Sequence, residues 1–300
     1  MPTWPGAPPN LLSLFLKLVD VARVLDRRAF WLQTKLSNPG TEAIERWVFV
    51  GHPRLEEISL FSQDEGGEWR QQNIGTRTPL AVRDEIGRAY GVIPLTLSPG
   101  SEKTVWLRVA SRTVVDLSTT LWAPAEFRET SGRSQFSLTL ALGALFVVML
   151  LSGLAFAATR EWPYLFFSVS MFGEILLEGF RTGLLQRFVL PPELAMPVET
   201  AAVGSFLAVI GFSVYFHSFM PVIRRQGWLY RIFASLLGIT LLAQVWSLFV
   251  DYRDGAIIWS LSVNGVILVG ITLTMLAWRD GIASAGTLFF SFVCLAVLEL

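Results

Sequence analysis

Hydrophobicity divides the chain in two. Up to about residue 132, apolar and polar positions alternate in short runs; from Phe136 to Leu300 the chain is almost continuously apolar. Alternation with period 2 marks half-buried strands. Val105, Leu107 and Val109 fall on one side of such a strand, Trp106 and Arg108 on the other, and Leu117, Thr119 and Leu121 form a similar stripe. Further strands are expected over Phe30–Ser37, Arg46–Val50, Glu57–Phe61 and Arg88–Leu97, and Gly66-Gly67-Glu68 reads as a turn followed by a strand. Asn38-Pro39-Gly40, Gly51-His52-Pro53, Asp64-Glu65-Gly66-Gly67 and Ser98-Pro99-Gly100 supply the turns between them. Short strands with no convincing helix between them predict an antiparallel β-sandwich over residues 28–132. Residues 1–27 are expected to form a separate N-terminal segment, with helix expected over 10–25.

A membrane-crossing helix needs about 20 apolar residues. Blocks of that kind lie near 136–158, 163–184, 198–220, 229–250, 256–278 and 283–300, so residues 133–300 are expected to form an α-helical transmembrane bundle of about six helices. Trp162, Tyr164, Trp228, Tyr230, Tyr252, Trp259 and Trp278 lie near the ends of these spans, where aromatic belts form. Arginines are split almost evenly between the two sides. The connection holding Arg224 and Arg225 tips the balance and is expected in the cytoplasm, which places the β-sandwich outside it. The apolar run Leu11–Val19 is interrupted by Lys17 and makes a poor export signal; a weak signal, an amphipathic helix and a misplaced start are the open readings. The final apolar block stops at Leu300, and the bundle is expected to be truncated there.

Composition narrows the chemistry. Charged residues make up 16% of the chain, against roughly 25% in soluble domains. The formal net charge is zero, and nothing points to nucleic acid as a partner, whereas membrane lipid is implied. Cys294 is the one cysteine, which excludes an intrachain disulfide and a cysteine-based zinc site. No His, Asp and Glu cluster has metal-ligand spacing, and His52 stands alone in a turn. The chain holds no phosphate-binding glycine loop, no Gly-x-Ser-x-Gly elbow and no His-Glu-x-x-His. No cofactor and no enzymatic activity are expected.

Two groups of residues remain as candidate sites. The β-region is rich in indoles, at Trp31, Trp47, Trp69, Trp106 and Trp122. On an exposed sheet face, Trp47, Trp69 and Trp106 would stack on a sugar or another flat ligand; filling the core is the competing reading. In the second apolar block Glu174, Glu178 and Arg181 follow i, i+4, i+7 spacing and share a helix face, and Glu199 opens the third. Ionisable groups at such depth are expensive. They either form a polar cluster that senses or relays a rearrangement, or pair to fix helix geometry; a Glu178–Arg181 ion pair would leave Glu174 needing a proton or another partner.

Several stretches in this order resemble one family, the bacterial seven-transmembrane receptors with diverse intracellular signalling modules. Ala29–Asn38 (AFWLQTKLSN), Leu55–Phe61 (LEEISLF), Ile93–Gly100 (IPLTLSPG) and Thr104–Val109 (TVWLRV) resemble strands of its extracellular domain. Glu161–Leu165 (EWPYL) resembles the short connection between its first two helices. Phe212–Met220 (FSVYFHSFM) resembles the end of the third, and Arg279-Asp280-Gly281 with Ala283 the start of the sixth. The resemblance implies a jelly-roll-like periplasmic sensor, seven helices and a cytoplasmic effector, often a diguanylate cyclase or histidine kinase. No effector motif is present here, and Gly66-Gly67-Glu68 is not a cyclase signature.

The resulting expectation is the sensor and transmembrane portion of a receptor in the bacterial inner membrane. It would bind a small solute, with carbohydrate as one class, or a partner outside the cytoplasm, and signal to an effector. Association of two copies is compatible with this reading. A polytopic membrane enzyme or transporter subunit with an accessory β-domain, and a non-signalling fragment, are the alternatives.

Overall fold

The computed structural model describes residues 29–50, 55–63, 67–112, 119–218 and 227–281, together with Ala285, Gly286, Phe289, Phe292 and Val293. The expected N-terminal helix, the turn holding His52, the Arg224-Arg225 connection, Cys294 and most of the sixth apolar block lie outside them. The chain divides into two compact units. One comprises the residues up to Gly75 with Arg83–Arg128; the other comprises Thr76–Val82 with Glu129 onward.

The first unit is a two-sheet β-sandwich. Strands β1 (Phe30–Ser37), β2 (Ile44–Val50), β3 (Glu57–Gln63), β4 (Trp69–Ile74), β5 (Ile93–Leu97), β6 (Glu102–Ala110) and β7 (Thr119–Trp122) form sheets of order β1-β6-β3-β4 and β5-β2-β7. All neighbouring strands are antiparallel. Every second residue of these strands faces inward. Leu36, Val48, Ile58, Leu60, Ile74, Leu95, Val105, Leu107 and Val109 meet in one buried core, as the period-2 pattern requires. The buried Asn38 amide ties the β1 end to the β5 end, donating to the carbonyls of Leu97 and Ser98. Glu56, 3% exposed, accepts from the Arg112 backbone N–H and from its guanidinium at 2.9 Å, so the buried carboxylate is satisfied.

The expected strand Arg88–Leu97 starts only at Ile93. A short helix, α1 (Glu85–Tyr90), precedes it, because the Asp84 carboxylate caps the Gly87 N–H and Gly91 ends the helix at φ 66°. Arg83 donates to the Gly75 carbonyl. Burial pushes the Arg83 guanidinium down to about 10, so it stays cationic at neutral pH and the bond is charge-assisted. Gly75, at φ 114°, passes so close to the Glu56 carbonyl that a Cβ would lie 2.5 Å from its oxygen.

The second unit is helical. It contains most of α2 (Pro124–Thr159), then α3 (Trp162–Arg181), α4 (Leu184–Phe188), α5 (Glu199–Ser218), α6 (Trp228–Phe249) and α7 (Tyr252–Arg279). Among the described residues α2, α5, α6 and α7 are long and apolar enough to cross a membrane. Helix α3 has 20 residues but carries Glu174, Glu178 and Arg181, and it is not among the four. Helix α2 begins at Pro124 rather than at 136 and, at 36 residues, is roughly 54 Å long, well beyond a hydrocarbon core of about 30 Å. Its polar first turns continue the helix ahead of the apolar block. The stretch between the second and third apolar blocks opens with α4, which Gly183 starts in a left-handed conformation.

Helices α3 and α5 approach closely at glycines. A Cβ on Gly211 would lie 2.5 Å from the Phe166 carbonyl oxygen, and one on Gly204 2.8 Å from the Leu177 nitrogen. Ser170 Oγ donates across this seam to the Ala208 carbonyl at 2.9 Å. Between α6 and α7 the buried Thr240 hydroxyl donates to Ser262 Oγ at 2.9 Å. Phe216, Phe233, Leu273 and Phe292 form the main aromatic and aliphatic core of this unit.

Candidate functional site

The outer face of the four-stranded sheet carries an aromatic platform. Strand alternation sends Val105 and Leu107 inward and leaves Trp106 outward on β6. In register, Trp106 stands opposite Gln33 of β1 on one side and Phe61 of β3 on the other, and Phe61 stands opposite Gln71 of β4. One row across the sheet therefore reads Gln33, Trp106, Phe61, Gln71. Trp31, opposite Arg108, and Trp69, opposite Gln63, flank this row. Trp31 leans over to stack on Phe61, with ring centroids 5.5 Å apart and planes 26° from parallel. Trp31, Phe61, Trp69 and Trp106 line an open concavity of about 450 Å³.

This surface is costly to leave in water. Trp31 and Trp69 are 54% and 55% exposed, where an indole would ordinarily bury most of its area. Polar groups border the rings. The Gln71 amide donates to Asn73 Oδ1 at 2.8 Å, and Arg108 pairs with Glu57 at 3.1 Å. Flat aromatic faces beside amide donors and acceptors suit a ligand with one apolar face and hydroxyls at its edge.

Of the three indoles expected to meet a ligand, Trp69 and Trp106 are on this platform and Trp47 is not. Trp47 is fully buried on the opposite face of the other sheet, packed with Val92 and Phe127. Phe127, from the first turn of α2, covers it edge-on at 5.8 Å, Arg128 lies over its ring, and its Nε1–H donates to Glu45 Oε1. Trp122, partly buried, packs against the same cluster. Parity is the physical reason. Trp47 points away from the Val48 and Val50 side, but on that outer face it is covered by α1 and by Phe127 and Arg128 at the start of α2. Phe61 was missed as a site residue, although its position, out of phase with Ile58 and Leu60, was the signal for it.

In the helical unit Glu178 and Arg181 form an ion pair at 2.9 Å, each about one-third exposed. Thr182 reinforces the end of α3 by donating to the Glu178 carbonyl. Glu174 lies one turn earlier on α3, and Glu199 is the first residue of α5. Neither is left without a partner. Among the described residues no group of three or more His, Cys, Asp or Glu side chains is placed to hold a metal ion.

Comparison with known protein families bears on both units. The model for the 7TMR-DISM extracellular 2 domain matches residues 21–123, and the model for the 7TM diverse intracellular signalling region matches residues 134–298. No curated protein and no solved structure matches the chain. The family matches and the apolar helices describe a multi-pass membrane protein with an extracellular N-terminal domain. A two-sheet sandwich followed by a long apolar helical region, with each part matched by the corresponding model, means that the chain belongs to the 7TM diverse intracellular signalling family of receptor-like membrane proteins.

Proposed function

We propose that this chain is the sensing and transmembrane part of a signal-transduction receptor in a bacterial inner membrane, with the sandwich in the periplasm. The observation that carries the reading is the exposed platform of Trp31, Phe61, Trp69 and Trp106. Its ligand is a small solute with a flat apolar face and polar edge, the chemistry of a sugar ring. Binding there shifts the populations of helix arrangements in the bundle, which bias a cytoplasmic effector of the cyclase or histidine-kinase type. The chain itself performs no catalysis in this scheme. The Glu178–Arg181 pair closes within one helix and serves the end of α3 rather than a transport path.

The test uses the full chain in lipid nanodiscs, titrated with maltoheptaose and cellohexaose while intrinsic tryptophan fluorescence is read. Saturable quenching with one of them is expected, and Trp69→Ala or Trp31→Ala should weaken it about tenfold, the worth of roughly one stacking contact. Equal binding by wild type and both variants would remove the platform from the proposal. Turnover or vesicle transport abolished by Glu178→Gln would favour a transporter or membrane enzyme instead.

A further inference from the structure

Residues Thr76–Val82 follow β4 directly in sequence but are built into the helical unit. The neck of this loop is closed within the sandwich, where Arg83 donates to the Gly75 carbonyl. Short ends held together and a compact body describe an Ω-loop. Its body makes a specific set of bonds in the helical unit. The Thr76 carbonyl accepts from the Met196 N–H at 2.8 Å and from the Gln186 side-chain amide at 3.3 Å. The same amide reaches the Thr78 carbonyl at 3.3 Å, and the Ala81 N–H donates to the Pro192 carbonyl at 2.8 Å. Leu80, Met196 and Gln186 are all buried.

One atom is out of balance. Thr76 Oγ1 is buried with no hydrogen-bond partner among the described residues. A buried hydroxyl without a partner disfavours the docked arrangement relative to one that water can reach. The bonds that hold the loop include two backbone bonds and the Gln186 side-chain amide, and the unsatisfied Thr76 hydroxyl lies buried among them. Such a segment opens locally at lower free energy than the core around it.

We propose that Thr76–Val82 is a latch with two states, docked through Gln186 and undocked with Thr76 hydrated. Strand β4 carries Trp69 and runs straight into the neck of this loop. Only the purpose of the latch rests on the receptor reading; its existence does not.

Amide hydrogen exchange on the full chain, in nanodiscs of phosphatidylethanolamine and phosphatidylglycerol and without ligand, tests it. Thr76→Val keeps the shape and removes the unsatisfied hydroxyl, and should slow exchange at Ala81 and Met196 about fivefold or more. Gln186→Leu removes the shared donor and should speed exchange at both by about tenfold or more. Both variants should leave the sandwich-core amides of Leu60 and Leu107 unchanged. Unchanged or faster exchange in Thr76→Val overturns the latch. So does unchanged exchange in Gln186→Leu, or equal acceleration at Leu60 and Leu107. Local opening as expected, in a chain that binds neither oligosaccharide, supports the latch and removes the receptor reading alone.

Discussion

Gly173 on α3 faces Ala208 on α5 so closely that a Cβ on Gly173 would overlap the Ala208 backbone nitrogen. The obstruction is main chain, which cannot swing aside as a side chain can. Gly173→Leu should therefore separate the two helices and cost about 3 kcal/mol or more. Thermal unfolding of the reconstituted chain checks this, and an unchanged midpoint would contradict the close seam.

Arg112 satisfies a carboxylate that is almost fully buried. Arg112→Ala takes the guanidinium from Glu56 and keeps the backbone N–H, and because Arg112 itself is half in water the loss should be about 2–3 kcal/mol rather than that of a fully buried pair. Denaturant unfolding followed by far-ultraviolet circular dichroism measures it. The Glu56→Gln/Arg112→Ala double variant should recover part of the loss, because it removes the buried charge.

Phe127 seals Trp47, Phe49 and Trp122 with the first turn of α2. Phe127→Ala should cost about 3–5 kcal/mol and shift tryptophan emission to the red as Trp47 meets water. A loss of stability with unshifted emission would show that another side chain closes the gap.

The Thr240–Ser262 bond is a buried polar link between α6 and α7. Thr240→Val removes the donor at nearly constant volume and should cost only about 0.6 kcal/mol, the usual worth of a hydrogen bond between membrane helices. A loss several times larger would mean that the hydroxyl serves more than helix pairing.

Stability and the platform should separate. Trp69 and Trp31 lie on the open sheet face, so Trp69→Ala should leave the sandwich's unfolding midpoint within about 0.5 kcal/mol of wild type. Trp47→Ala, by contrast, should cost about 3–5 kcal/mol. Similar losses for the two would contradict the division between exposed and buried indoles.

Local patterning made much of this legible. Alternation in Val105–Val109 is a property of one strand, and it gave both the strand and which residues face the core. The α3 spacing likewise placed Glu178 and Arg181 within reach of each other. Capping chemistry was the weaker signal. Asp84 and Gly91 make a helix of a stretch whose alternation reads as strand, because one side-chain bond and one left-handed glycine outweigh a weak period.

The sequence by itself determined the division into an alternating N-terminal domain and an apolar helical region, because strand period and apolar run length are set by nearest neighbours and by solvent. It also determined that indoles abound in the first part. Only the tertiary structure decided which indoles meet water. Trp47 and Trp106 both sit out of phase with the sandwich core, yet α1 and Phe127 cover Trp47 on one sheet while Trp106 lies on the open face of the other. Likewise no local pattern tells that Thr76–Val82 belongs with residues 186–196, since their bonds join positions more than a hundred residues apart.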